Sequence, residues 1–318
     1  MSTRAGFDPR GLMRRAWALN PPLAFVGAAM GVTVAVALVG LVADPRVITG
    51  APAWLKPMKF AVSIAVYCFT VLWLLTFVRG RPRLVRAIGW VTAVGLAVEM
   101  ALIVAQVVRG TTSHFNVGTA FDAAIWSAMG AIVVSVWVAG MLLAVLLVRQ
   151  RLADPALAWS LRLGLVVAVV GMAVAFLMTS PTPEQLAAAG GPRVAGGHSV
   201  GVADGGPGLP VTGWSTVAGD LRVAHFVGLH GLQVLPAVGY LLMVLPARPL
   251  GGRHRVALVW TVGLAYLGLV LLLAWQALRG QSVIAPDAIT LAALAALGGG
   301  AVAVALAVLG HGWRTAGR

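Results

Sequence analysis

The sequence has little charge and almost no cysteine. Of its 318 residues, 10% are charged, 60% are hydrophobic and one is a cysteine, whereas ordinary soluble domains are about 45–50% apolar and about 25% charged. The shortage of charge excludes an ordinary soluble enzyme and a disordered chain. The single Cys68 excludes an intramolecular disulfide and a cysteine-based metal site. The long apolar stretches instead predict an integral membrane protein.

Eight apolar stretches are long enough to cross a bilayer, which needs roughly 20 residues per helix. The first is too long and too rich in glycine for a signal peptide, so it counts as a span. We therefore expect an all-α integral membrane protein with eight transmembrane helices. The stretches cover residues 22–42, 57–78, 87–108, 121–148, 159–178, 223–245, 256–277 and 288–309.

The basic residues lie mainly on one side of these spans. Sixteen of the 23 lysines and arginines fall on the side of the two termini, and seven on the other. The positive-inside rule then places both termini in the cytoplasm, as in a multi-pass protein of a bacterial inner membrane. No soluble basic domain is left to bind nucleic acid, so the predicted partner is the lipid bilayer. The sixteen are Arg4, Arg10, Arg14, Arg15, Arg79, Arg81, Arg83, Arg86, Arg149, Arg151, Arg162, Arg248, Arg253, Arg255, Arg314 and Arg318.

Two motifs recur four spans apart. The third span ends in Gln106-Val-Val-Arg-Gly110 and the seventh in Gln276-Ala-Leu-Arg-Gly280, while Phe60 opens the second span as Phe226 opens the sixth. The same order and similar spacing predict two tandem four-helix units, residues 1–155 and 156–318. The second unit contains a long external loop, 180–221, which is rich in glycine and proline. Its composition fits either a flexible hinge or turns that fold back over the helix ends.

Polar residues are concentrated in the outer half of the spans, while the inner half has almost none. Ionisable groups at membrane depth are costly and mark functional sites, so this distribution predicts a site that opens outward rather than a conduction path. The predicted catalytic residues are Lys59, Glu99, Arg109, Asp122, Arg222 and His230, and the predicted cofactor-binding residues are His114, His225 and His230.

Helical spacing constrains how these residues act. Glu99 and Gln106 are seven residues apart and share one helix face, while Glu99 and His230 lie at comparable depth and are candidates for a proton-relaying pair. His225 and His230 are five apart, so they point in different directions and do not chelate one small metal. Lys56 is expected to snorkel to the interface, and His198 in the loop is expected to be solvated.

Three sequence blocks carry a resemblance. Residues 54–60, 106–116 and 219–230 resemble segments of uncharacterised bacterial polytopic membrane proteins, a resemblance that implies no particular activity. The eight-helix tandem layout is also similar to that of heme A synthase, which has two four-helix halves and outward-facing heme sites. That resemblance implies histidine ligands on every second helix. His225 fits the sixth helix and His114 lies just before the fourth, whereas Lys59 stands on the second and the eighth has no histidine in its outer half.

Three functions follow as alternatives. The first is a membrane redox protein with an outward-facing, histidine-containing heme or metal site and a buried proton-handling carboxylate. The second is a proton-coupled transporter or small-molecule binder built on the tandem repeat. The third is a membrane enzyme that modifies a lipid, a quinone or another lipophilic small molecule. The sequence contains no standard enzyme motif that separates them.

Overall fold

The computed structural model describes residues 9–244 and 250–316. It is 72% helical with almost no sheet, which confirms the all-α class. Arg4, Arg248 and Arg318, which entered the analysis of membrane topology, lie outside the described residues. The helices are α1 (Pro9–Leu19), α2 (Pro21–Ala43), α3 (Leu55–Leu75), α4 (Pro82–Val108), α5 (Ala120–Val148), α6 (Pro155–Leu177), α7 (Pro183–Leu186), α8 (Leu221–Val244), α9 (Gly252–Leu278) and α10 (Ala288–Ala316). The strands are β1 (Val47–Ile48), β2 (Ala51–Pro52), β3 (Ser199–Val200) and β4 (Gly219–Asp220).

Eight of the described helices, α2 to α6 and α8 to α10, are long and apolar enough to cross a membrane. They correspond one to one to the eight predicted spans, so the predicted multi-pass membrane protein is confirmed. The membrane side of the termini and the duplication stay predictions. The helix α1 was not predicted, because its eleven residues are amphipathic and too polar to form a span.

The chain forms two compact units. The first comprises residues 1–48, 52–111 and 128–143. Within it, α2 packs along α3, and α4 packs against both. Gly40 of α2 lies under the indole of Trp54, where a Cβ would come within 2.4 Å of the ring. Small residues on α2 therefore allow close packing in this unit.

The second unit comprises residues 49–51, 112–127 and 144–318. Its most extensive helix pair is α6 with α8; α9 packs on both, and α10 packs on α9. Where α6 and α8 cross, Gly171 and Gly228 face each other so closely that a Cβ on Gly171 would lie 2.6 Å from the Cα of Gly228. Small residues at such crossings are typical of membrane helices, because they let the backbones approach.

Local signals set the helix ends. Asn20 caps α2 and Asp154 caps α6, each with its side chain accepting the N–H of the residue three positions on and with proline in the first turn. Such caps satisfy backbone donors that the helix leaves unpaired. The helices α4 and α9 are each followed by a glycine with φ +74°, Gly110 and Gly280, the left-handed conformation that commonly ends a helix.

The external loop folds into defined structure. β3 pairs antiparallel with β4, and isolated bridges join Asn116 to Val194 and Gly208 to Ser215. The single-turn helix α7 begins with a capping box from Thr182. The loop therefore follows the folded-back alternative, and β4 leads directly into α8.

Candidate functional site

His225 lies in the first turns of α8, in the second unit. Its Nδ1 is 2.8 Å from the carbonyl oxygen of Gly171 on α6. Because a carbonyl oxygen only accepts, Nδ1 must carry the proton and donate. The close crossing at Gly171 and Gly228 brings this carbonyl within reach. In the neutral imidazole this leaves the lone pair on Nε2, the nitrogen that a ligand histidine would use.

His198 is the functional candidate that sequence reasoning missed. Its Nδ1 is 2.6 Å from Oδ2 of Asp204, and the backbone N–H groups of His198 and Ser199 also donate to the Asp204 carboxylate. The His198 carbonyl accepts from the N–H of Leu221 at 3.0 Å, which ties the loop to the start of α8. Leu221 lies one turn before His225 on α8, so this hydrogen bond brings His198 to the end of α8 that carries His225. No sequence spacing signals this, because the loop pairing creates it.

The carboxylate of Asp204 is held in its ionised form. Burial by itself would raise the pKa of Asp204, but the hydrogen bonds and the charge of His198 outweigh burial and hold that pKa well below its usual range. An ionised carboxylate on Nδ1 orients the imidazole and makes Nε2 a better ligand or base.

Aromatic rings join His198 to His114. The Phe115 ring lies 4.9 Å from the rings of both His198 and Trp126, and the His114 ring lies 5.6 Å from that of Trp126. Phe115 has φ +62°, which is a strained conformation for a bulky residue and is retained mainly at functional sites. Its carbonyl accepts from the N–H of Ala195 at 2.8 Å. We call His114, His198 and His225 the histidine cluster.

Two other predicted residues of α8 make contacts outside this cluster. His230 is exposed, and its Nδ1 is 3.4 Å from Oε1 of Gln233. Arg222 forms a two-pronged ion pair with Asp220, at 2.9 Å and 2.6 Å, and donates to the carbonyl of Gly213 at 2.6 Å. Arg222 thus fastens the end of the loop to α8.

Asp122 is buried at the start of α5. Its carboxylate accepts a hydrogen bond from the Thr119 hydroxyl at 2.6 Å, and the backbone N–H of Asp122 donates to that hydroxyl oxygen at 3.1 Å. The structure therefore places Asp122 in the cap of α5.

The first unit holds the remaining predicted residues. Glu99 is only 3% exposed and Gln106 is fully buried, as expected for one buried face of α4. The charge of Lys56 acts on Glu99, so Lys56 has an electrostatic role that the sequence did not predict. Lys59 is half-buried on α3. Arg109 is exposed and donates to Gln106. Glu99 and His230 belong to different units, and their pairing stays a prediction.

Among the described residues, no three histidine, cysteine or carboxylate side chains lie together as a metal site. The histidine cluster instead contains two imidazoles, those of His198 and His225, whose Nδ1 atoms are hydrogen-bonded, and imidazole nitrogens are common ligands of metals and of heme iron. No protein-family model, curated protein or solved structure matches this chain.

Proposed function

We propose that this chain is a membrane redox protein of the bacterial inner membrane, with a heme site at the histidine cluster on the outward-facing side. The observation that carries the proposal is that two neighbouring histidines each have Nδ1 anchored, His225 by the carbonyl of Gly171 and His198 by Asp204. Histidines that bind a metal characteristically donate the N–H of their other ring nitrogen to a carbonyl or carboxylate in this way. A bound heme would supply one-electron chemistry.

Each residue of the cluster has a distinct part in this proposal. His225 and His198 would hold the heme through their imidazole nitrogens, and Asp204 would make His198 a stronger ligand by accepting the hydrogen bond of its Nδ1–H. His114, packed on Trp126, would line the site. Glu99, buried in the first unit, would take up and release a proton, because a carboxyl group at that depth is most stable when neutral.

The proposal includes an origin by tandem duplication, with both termini cytoplasmic. Helix lengths support it: α2 to α5 have 23, 21, 27 and 29 residues, and α6, α8, α9 and α10 have 23, 24, 27 and 29. The start of α5 uses Thr119 and Asp122, and the start of α10 uses Asp287 and Thr290, the same two residue types exchanged. Lys59 and His225 occupy corresponding positions just before Phe60 and Phe226.

Optical spectroscopy tests the redox function. Protein purified from heme-supplied cells is expected to show a Soret band, which His225→Ala abolishes and His198→Ala diminishes. His230→Ala is the matched control, because it removes an exposed histidine from the same helix and should leave the band unchanged. A variant that elutes as a folded protein but lacks the band supports the assignment. A colourless, metal-free wild-type protein would overturn it.

Coupled proton transport is a second candidate, favoured by the buried Glu99 and its interaction with Lys56. In this function Glu99 would exchange a proton as the solute is transported, with Lys56 acting on its charge. Solute-dependent proton uptake into proteoliposomes, lost in Glu99→Gln, would support it. Uptake that persists in Glu99→Gln would count against it. A quinone would serve the redox function as electron acceptor, and reoxidation of the dithionite-reduced heme protein by an added quinone would support it.

A further inference from the structure

A long groove runs along the arginine-rich end of the first unit. It has a volume of about 1180 Å³ and is lined by residues of α1, α2, α3 and α4 together with the turn before α4. On α4, lining residues recur from Pro82 to Val98, a stretch of about 24 Å by helical rise. One leaflet of the hydrocarbon core is only about 15 Å thick. The groove is therefore long enough to hold an acyl chain within the leaflet and to extend past the hydrocarbon towards the head groups.

The charge of this groove is of one sign. Arg86 is exposed and lies in its wall, and Arg79, Arg81 and Arg83 stand exposed just before it. Residues 9–43 and 55–98, which contain every lining residue, include no aspartate or glutamate. The groove therefore complements an anion at one end, whereas the residues further along α4 are apolar.

Tryptophans mark the interface at the same end. Trp17 of α1 and Trp90 of α4 both line the groove and are about half exposed, at 48% and 52%. Tryptophan is enriched where the hydrocarbon meets the head groups. The helix α1, with exposed Arg14 and Arg15 beside Trp17, has the composition of helices that lie in the interface plane of an anionic membrane.

We propose that this groove is a binding site for one anionic phospholipid. Its phosphate binds Arg86, at the end of the groove that also carries Trp17 and Trp90, and one acyl chain follows the apolar wall of α4. The occupant is a lipid rather than a soluble phosphate compound, because the apolar part of the groove is far longer than a head group. Basic pockets between membrane helices bind anionic head groups in this way.

Lipid retention measured by native mass spectrometry tests the site. The full chain is released from nanodiscs that contain phosphatidylcholine with a minority of phosphatidylglycerol, and the retained lipids are identified. One phosphatidylglycerol per chain is expected to stay bound. Arg86→Glu should lower its affinity at least about fivefold, since one basic residue near an anionic surface is worth a factor of that order.

Arg83→Glu is the matched control. Arg83 lies on the same helix, one turn earlier, is equally exposed and does not line the groove, so its reversal should change the affinity less than Arg86→Glu. A second variant, Ala97→Phe, fills the apolar part of the groove and should reduce retention while leaving the arginines intact. Inorganic phosphate at matched concentration should not displace the lipid.

Four results would overturn the proposal. Equal effects of Arg83→Glu and Arg86→Glu would show diffuse surface attraction without a site. Equal retention of phosphatidylcholine would show an apolar groove with no anion selectivity. Displacement by inorganic phosphate would show an ion site. A lipid-free dimer would show that a second copy of the chain covers the groove.

Discussion

The crossing of α6 and α8 makes a sharp prediction about stability. In Gly171→Ala, the added Cβ would lie 2.6 Å from the Cα of Gly228, whereas ordinary contacts begin at 3.4 Å. The obstacle is backbone, so the two helices must separate by about 0.8 Å. Overpacking of this kind costs about 1–3 kcal/mol. The hydrogen bond from His225 to the Gly171 carbonyl lengthens with the separation, and its loss adds about 1 kcal/mol.

The assay is reversible unfolding of the purified protein in mild detergent, followed by circular dichroism. Gly171→Ala should lose about 2–4 kcal/mol, the sum of the overpacking and hydrogen-bond costs. Gly31→Ala on α2 is the matched control, because a Cβ there meets nothing within 4 Å. There the better helix propensity of alanine should leave stability equal or raise it by up to about 1 kcal/mol. Equal stability of Gly171→Ala and Gly31→Ala would refute the close crossing.

Two further predictions concern Asp204 in the external loop and the N-terminal caps of α2 and α6. Because the pKa of Asp204 is depressed in the folded state, its stabilising contribution is present above the ordinary carboxyl pKa and is lost as the pH falls towards the lower folded value. Asp204→Asn should therefore be less stable than wild type at neutral pH and show a flatter stability profile in acid; parallel profiles would contradict this. Asn20→Ala removes the acceptor for the N–H of Leu23 and should cost about 1 kcal/mol in the same unfolding assay. Asp154→Ala, at the equivalent cap of α6, should behave alike, and no loss in either would refute the capping role.

Hydropathy was enough to find the spans. The sixth predicted stretch, 223–245, becomes α8 at Leu221–Val244, and the first, 22–42, becomes α2 at Pro21–Ala43. Composition decides these elements, because an unpaired backbone group in hydrocarbon costs several kcal/mol and forces an apolar segment into a helix. Helical period alone also placed Glu99 and Gln106 on one face of α4, and both are buried.

The site itself depended on contacts that have no local signal. His198 appeared to be an ordinary loop residue, yet the pairing of β3 with β4 and the carboxylate of Asp204 fix its ring. The anchor of His225 is a backbone carbonyl 54 positions away. Because every residue has such a carbonyl, the sequence does not indicate which one His225 contacts. By contrast, the charged spacing of Asp220 and Arg222 is local, and its ion pair could have been predicted from the turn.

The proposed duplication allows corresponding residues of the two halves to be compared. The two sets of four helices are similar in length, and α2 and α6 have similar caps, but the position before the shared phenylalanine is Lys59 in one and His225 in the other. The first unit has the buried acid Glu99 on α4, while the corresponding turn of α9, counted back seven residues from Gln276, has Leu269. Gln106 and Arg109 thus recur as Gln276 and Arg279, whereas Lys59 and Glu99 are replaced by His225 and Leu269. The proposed function accounts for these two replacements, because it assigns proton exchange to Glu99 in the first half and heme binding to His225 in the second.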